Sequence, residues 1–266
     1  MRVLILGGTA EARALAQRLT SDGRFEVVSS LAGRVARPQL PAGESRVGGF
    51  GGAEGLAAWI EENETEVVVD ATHPFAAAMS AHASTAASTR GVALVRLHRR
   101  EWAPSAGDEW VPARSTSDAA HLLENSFERA FLTIGRQGVG AFAHASSTWF
   151  LIRSIDPPTG PLPRMHELLS ARGPFEVEDE ITTMQHHRID VLVSKNSGGV
   201  MTEAKLVAAR RLDIPVIMIA RPPSPPCDAV AHSVDEVAAW LCQPQAVRSR
   251  PARATGIRPT PGTDAK

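Results

Sequence analysis

An apolar run stopped by glycine, followed by apolar residues at helical spacing, recurs along this chain and constrains its fold more than any other feature. Val3-Leu4-Ile5-Leu6 halts at Gly7-Gly8, and Ala12, Leu15, Ala16 and Leu19 follow on one helix face. A run without polar interruption predicts a strand buried on both sides, as in a parallel sheet covered by helices. Further strands are expected at 25–29, 67–70 and 92–97, with a helix around Leu56 and Ile60. An Ala-rich helix is expected over 74–90 with Pro74 in its first turn. The pattern restarts near Glu124. Strands are expected at 131–134, 149–152, 191–193 and 216–219, with helix faces at Ala204, Val207 and Ala208 and at Val234, Val237, Ala238 and Leu241.

This alternation predicts an α/β protein of two Rossmann-like parallel-sheet domains with a cleft between them. We expect the first unit over 1–126 and the second over 127–243. Residues 244–266 hold four prolines and four arginines among few apolar side chains. They bury too little surface to offset the entropy of ordering, so a disordered tail is expected there.

Composition narrows the function. Lys and Arg total 28 against 29 Asp and Glu. That balance gives no overall field for nucleic acid or an anionic membrane. No apolar run approaches the roughly 18 residues of a membrane helix. Cys227 and Cys242 form no C-x-x-C pair, and the amino terminus enters a strand at once, so a cytoplasmic protein is expected. The chain contains no tyrosine, which excludes reductase chemistry of the Tyr-x-x-x-Lys kind, and only three lysines, Lys195, Lys205 and Lys266. There is no H-E-x-x-H, no G-x-S-x-G and no Walker A lysine. No metal site is expected, and serine acyl transfer and P-loop chemistry are disfavoured.

The turn Gly7-Gly8-Thr9 lies between the first strand and the first helix, where dinucleotide-binding folds seat a pyrophosphate against free N–H groups. On the G-x-G-x-x-G template its positions hold Gly7, Thr9 and Ala12. Thr9 replaces the glycine that lets phosphate approach, so its hydroxyl or Gly8 must serve instead. The second strand ends in Ser29-Ser30-Leu31-Ala32-Gly33-Arg34, with no carboxylate to bind a ribose 2′-hydroxyl. Ser30 and Arg34 suit a 2′-phosphate, which favours NADPH over NADH; the plainer alternative leaves Arg34 as a solvated loop residue.

Other strand ends carry polar loops. Gly48 through Gly52 either admits a flat ligand or is a flexible loop. Thr72 and His73 follow the strand ending at Asp70 and are expected to face the cleft, unless His73 caps a helix starting at Pro74. Ser194-Lys195-Asn196-Ser197-Gly198-Gly199 suits carboxylates or phosphates, or is a structural turn. Arg136 and Arg153 stand at similar positions.

Gly7-Gly8-Thr9 with Glu11, Ser30 with Ala32-Gly33-Arg34, Gly48 through Gly52, Asp70 through Ala76 and Ser194 through Gly199 resemble the motifs of the precorrin-6A reductase family of cobalamin biosynthesis. The resemblance covers about residues 1–243. It implies NADPH-dependent reduction of one ring double bond of a tetrapyrrole, precorrin-6A to precorrin-6B, in a cleft between two α/β domains. It implies cofactor contacts at Gly7, Gly8, Thr9, Ser30, Ala32, Gly33 and Arg34, with Thr72 and His73 near the nicotinamide. Substrate contacts are implied at Arg136, Ser194, Lys195, Asn196, Ser197, Gly198 and Gly199. No catalytic acid is assigned. Transfer of product to neighbouring pathway enzymes is a further expectation. A cobalt-containing substrate, or a non-catalytic nucleotide sensor, remain open alternatives.

Overall fold

The computed structural model describes residues 1–33, 39–124 and 126–243. Arg34 and the 244–266 tail lie outside the described residues. The first sheet takes β1 (Arg2–Leu6), β2 (Glu26–Leu31), β3 (Glu44–Val47), β4 (Val67–Asp70), β5 (Ala93–Leu97) and β12 (Ala229–Ala231). The second takes β6 (Trp110–Ala113), β7 (Arg129–Leu132), β8 (Trp149–Ser154), β9 (His166–Ser170), β10 (Val191–Lys195) and β11 (Val216–Ile219). Their orders are β12-β5-β4-β1-β2-β3 and β6-β11-β10-β7-β8-β9. Every strand pair in both is parallel.

Helices cover both faces. Along β1, Val3 and Ile5 pack with Leu15 and Leu19 of α1 (Ala10–Thr20) and Val237 and Leu241 of α7 (Val234–Leu241). Leu4 and Leu6 point the other way, onto Leu56 and Ile60 of α2 (Ala53–Glu62) and Ala83 and Ala86 of α3 (Ala77–Arg90). Burial on both faces is why the strand reads as apolar throughout; each such Leu or Ile contributes about 1.5–3 kcal/mol. In the second sheet, Leu132 and Phe150 pack with Ala119 and Leu123 of α4 (Thr116–Leu123). Phe131 and Leu151 pack with Met184 of α5 (Val177–His186) and Leu206 and Ala208 of α6 (Ala204–Arg211).

The strands do not sort by chain position as a boundary at 126/127 implies. β6 and α4 precede that point yet belong to the second sheet, whereas β12, near the carboxyl end, pairs with β5 in the first. Each sheet takes its outermost strand from the other side of the expected division, so the chain crosses between them twice. Both outer strands are short, and β6 contains Pro112, which an edge position tolerates. Their side chains carry little record of which sheet they join. The Ala-rich helix also starts later than expected, at Ala77: the Ala76 N–H bonds the His73 carbonyl at 2.7 Å and holds 73–76 as a turn.

Candidate functional site

In each sheet the chain leaves the central strand in opposite directions on its two sides, which opens a crevice at the strands' carboxyl ends. In the first sheet that crevice lies between β1 and β4. The Gly7 N–H donates to the Ser30 carbonyl at 2.9 Å, drawing the turn against β2. Gly8 has φ +112°, and a Cβ there would meet nothing within 4 Å, so its backbone is open to a ligand. Thr9 caps α1: its Oγ1 accepts the Ala12 N–H at 3.0 Å and donates to the Ala71 carbonyl at 2.9 Å. Its hydroxyl is thus occupied in joining β1 to β4, and the approach of phosphate falls to Gly8 and the free N–H groups of the helix end. The residues present therefore fit a pyrophosphate.

At the end of β2, the Ser30 hydroxyl accepts a hydrogen bond from Arg46 Nη1 at 2.9 Å. Arg46 is the register partner of Ser30 on β3. Gly33 has φ +68°, where a Cβ would press on Val47 at 3.2 Å, and Ala32 is exposed beside it.

After β4, Asp70 is fully buried. One carboxylate oxygen accepts the Thr72 hydroxyl at 2.7 Å, and the other pairs with Arg96 Nε at 3.1 Å. Thr72 is buried as well, so it shapes the loop. His73 is exposed at the cleft. Its Nδ1 accepts the Phe75 N–H at 3.2 Å, which places the ring proton on Nε2. Its pKa is driven well below the usual 6.5, first by desolvation as the surrounding protein crowds the ring and then by the charges of Arg99, Lys195, Lys205 and Arg221.

The second sheet comes up to the same place. Lys195, at the end of β10, lies 5.2 Å from the centre of the Phe75 ring. Phe75 itself follows β4 but packs on the core of the second sheet. Arg99, just past β5, donates through Nη1 to both carboxylate oxygens of Glu11 on α1, at 2.9 and 3.0 Å. Its Nε donates to the Ser197 carbonyl at 2.8 Å, so one side chain ties the first turn of α1 to the 194–199 loop. Arg221 also holds that loop, through the Asn196 and Ser197 carbonyls at 2.8 and 3.1 Å.

Much of this loop is therefore occupied internally. Asn196 binds the Trp102 backbone through both ends of its amide, at 2.9 and 3.1 Å, and the Ser194 hydroxyl is buried. Gly198 and Gly199 lie against Arg100 and Arg99. Lys195 is the member of the loop whose side chain reaches the neighbourhood of His73. Arg136 stands in a short 3-10 helix, 3.9 Å from Asp156. Arg153 is buried, paired with Glu180 at 2.6 Å and stacked on Phe175 at 3.9 Å. Lys205 is buried over Trp102 at 5.5 Å, and desolvation lowers its pKa to about 7.

The sequence reading overlooked Arg46, Arg99 and Arg221. Arg99 and Arg221 follow β5 and β11, so the strand-end rule that selected His73 and Lys195 also reaches them. Arg46 was hidden because β3, Glu-Ser-Arg-Val, lacks an apolar run.

An open glycine turn at the first sheet, and a second sheet tied to it through Arg99 and the Lys195–Phe75 contact, define a two-unit doubly wound α/β protein with its crevices at the strands' carboxyl ends. The family model described as Precorrin-6x reductase CbiJ/CobK matches residues 2–242, and the chain belongs to that family. It is 55% identical to the Precorrin-6A reductase of Rhodococcus erythropolis over 240 residues, covering 90% of this chain and 97% of that one. It is 29% identical to the Cobalt-precorrin-6A reductase of Salmonella typhimurium over 231 residues, covering 83% and 87%. The solved structure of a CobK precorrin-6A reductase superposes with a TM-score of 0.85 at 42% identity, covering 91% of this chain and 96% of that one.

Proposed function

We propose that the protein reduces a ring carbon–carbon double bond of precorrin-6A, giving precorrin-6B, with NADPH as reductant. The observation that carries this reading is that, in a chain of the reductase family, Arg99 ties the helix behind the open Gly8 turn to the loop that carries Lys195. NADPH, when bound, supplies a hydride. The chain's part is to hold the two reactants in register, a contribution that itself removes much of the barrier.

In this reading Gly7, Gly8 and the first turn of α1 take the pyrophosphate, while Ser30, Gly33 and Arg34 take the adenosine end. Arg99 neutralises Glu11, whose carboxylate would otherwise repel an anion at that helix end. Thr9 and Thr72 act by positioning. Lys195 and Arg221 face the carboxylate arms of the macrocycle. The first sheet is then the cofactor side and the second completes the substrate cleft. His73 is neutral near pH 7 and presents an Nε2–H donor, so it holds no imidazolium proton to give. We infer that water supplies the proton added beside the hydride. The greater identity to the precorrin-6A relative than to the cobalt-precorrin one supports a metal-free substrate.

The test mixes purified protein with NADPH and precorrin-6A and follows the nicotinamide and macrocycle absorbances. Both are expected to fall together. An unchanged nicotinamide band overturns the proposal.

A further inference from the structure

Arg46 sits where its neighbours leave an unanswered positive charge. Nη1 donates to the Ser30 hydroxyl at 2.9 Å and to the Gly48 carbonyl at 3.2 Å, and Nη2 donates to the Gly49 carbonyl at 3.1 Å. Its guanidinium carbon lies 3.8 Å from the centre of the Phe50 ring, so one planar face rests on an aromatic surface. Arg90, Arg96, Arg99, Arg153 and Arg210 each lie against a carboxylate. Among the described residues none does so for Arg46. Every partner of Arg46 among the described residues is neutral, and partial burial works against its charge.

The side chain is nonetheless fixed. Two carbonyls, a hydroxyl and a ring orient it, and the Nε–H makes no bond to any described residue. Ser30, itself buried, accepts from Arg46 and keeps its own O–H as a donor. The Nε–H and the second Nη2–H, held beside the Ser30 hydroxyl at the carboxyl ends of β2 and β3, match a dianionic phosphate carried on the adenosine side of a nucleotide.

We propose that Arg46, together with Ser30, grips the ribose 2′-phosphate and sets the preference for NADPH over NADH. This inference rests on the cofactor reading above and adds to it a residue, a strand and a built support. Phe50 is the platform that keeps the guanidinium in place. Gly48 and Gly49 contribute the carbonyls, so the glycine-rich loop serves here to hold an arginine.

The test measures dissociation constants of NADPH, NADH, adenosine 2′,5′-bisphosphate and ADP for the wild-type protein and for Arg46→Met, Arg46→Lys and Phe50→Leu. Arg46→Met is expected to weaken NADPH and the 2′,5′-bisphosphate by about 30-fold, roughly 2 kcal/mol for one charge-assisted contact, and NADH and ADP by less than about threefold. Arg46→Lys keeps the charge and loses the fork, so it falls between. Phe50→Leu, which leaves the arginine in place, shifts the same two ligands by a smaller factor. Near-native NADH binding shows that each variant is folded. If the wild-type protein prefers NADPH and Arg46→Met retains that preference, the assignment of Arg46 is overturned while the cofactor reading stands. If the wild-type protein binds NADPH and NADH equally, both are overturned. Equal weakening of all four ligands identifies Arg46 as a structural support and also overturns the proposal.

Discussion

Two of the paired-glycine turns in this chain, Gly7-Gly8 after β1 and Gly198-Gly199 after β10, serve opposite purposes. At Gly8 a Cβ would meet nothing, so the missing side chain leaves room for something outside the protein. At Gly198 a Cβ would stand 2.0 Å from the Arg100 carbonyl oxygen, and at Gly199 2.8 Å from Arg99 Cδ. There the protein's own backbone and an arginine fill the space. Both turns follow an apolar strand and precede a helical segment, so in one dimension they look alike. The difference is what packs against them, and it divides the cleft into a receptive wall and a braced one.

The largest expected effect tests the braced wall. Gly198→Ala combines the overlap with Arg100 and a φ of +65°, and is expected to cost about 3 kcal/mol of stability, lowering the thermal midpoint by roughly 6–12 °C. Gly8→Ala should show the reverse balance. The strain of its φ costs about 1 kcal/mol, while NADPH affinity falls by about tenfold as the backbone is screened from phosphate. If the two variants proved interchangeable in melting and titration, the distinction between the walls would fail.

A smaller effect concerns His73, which stands between them. The folded ring resists a proton that the unfolded chain takes up near pH 6.5, so stability is unaffected above that pH and declines as pH falls from about 6.5 towards 3. His98, whose pKa is also lowered, to about 4 by desolvation, adds to the same decline. In His73→Asn the thermal midpoint should fall less steeply between pH 7 and 5 than in the wild-type protein; an identical slope would mean that the folded ring takes up its proton as readily as the unfolded one. The same variant should retain turnover with the wild-type pH dependence, since no imidazolium acid is used.

The smallest effect lies outside both walls. Deleting 244–266, beyond the end of the family match at residue 242, is expected to leave turnover within about twofold in the absorbance assay. A larger loss would give the tail a part in the reaction.

The alternating architecture was legible from side-chain pattern because a strand covered on both faces must be apolar along its whole length, as Val3 to Leu6 and Val191 to Val193 are. Gly7, Gly8, Ser30, His73 and Lys195 were found by one rule, that chemistry gathers past the carboxyl ends of such strands. Short outer strands obey no such rule: β3 lacks the apolar run, β12 is only three residues long with Val230 exposed, and β9 leaves Leu168 exposed. Their membership depends on which sheet edge is free, a property of the assembled fold. The exchange of β6 and β12, and the β2–β3 pairing that sets Arg46 beside Ser30, therefore came only from the three-dimensional arrangement.

Local order thus determined the elements, the turns and the set of residues available to a ligand. Tertiary packing decided which of those residues remain available. Thr9, Thr72 and Asn196 all carry groups able to bind a ligand, yet each is bonded to the protein's own backbone or to Asp70. A hydrogen-bonding group close to a partner in space is satisfied whatever its neighbours in sequence, and that proximity is established only when the two sheets close on each other.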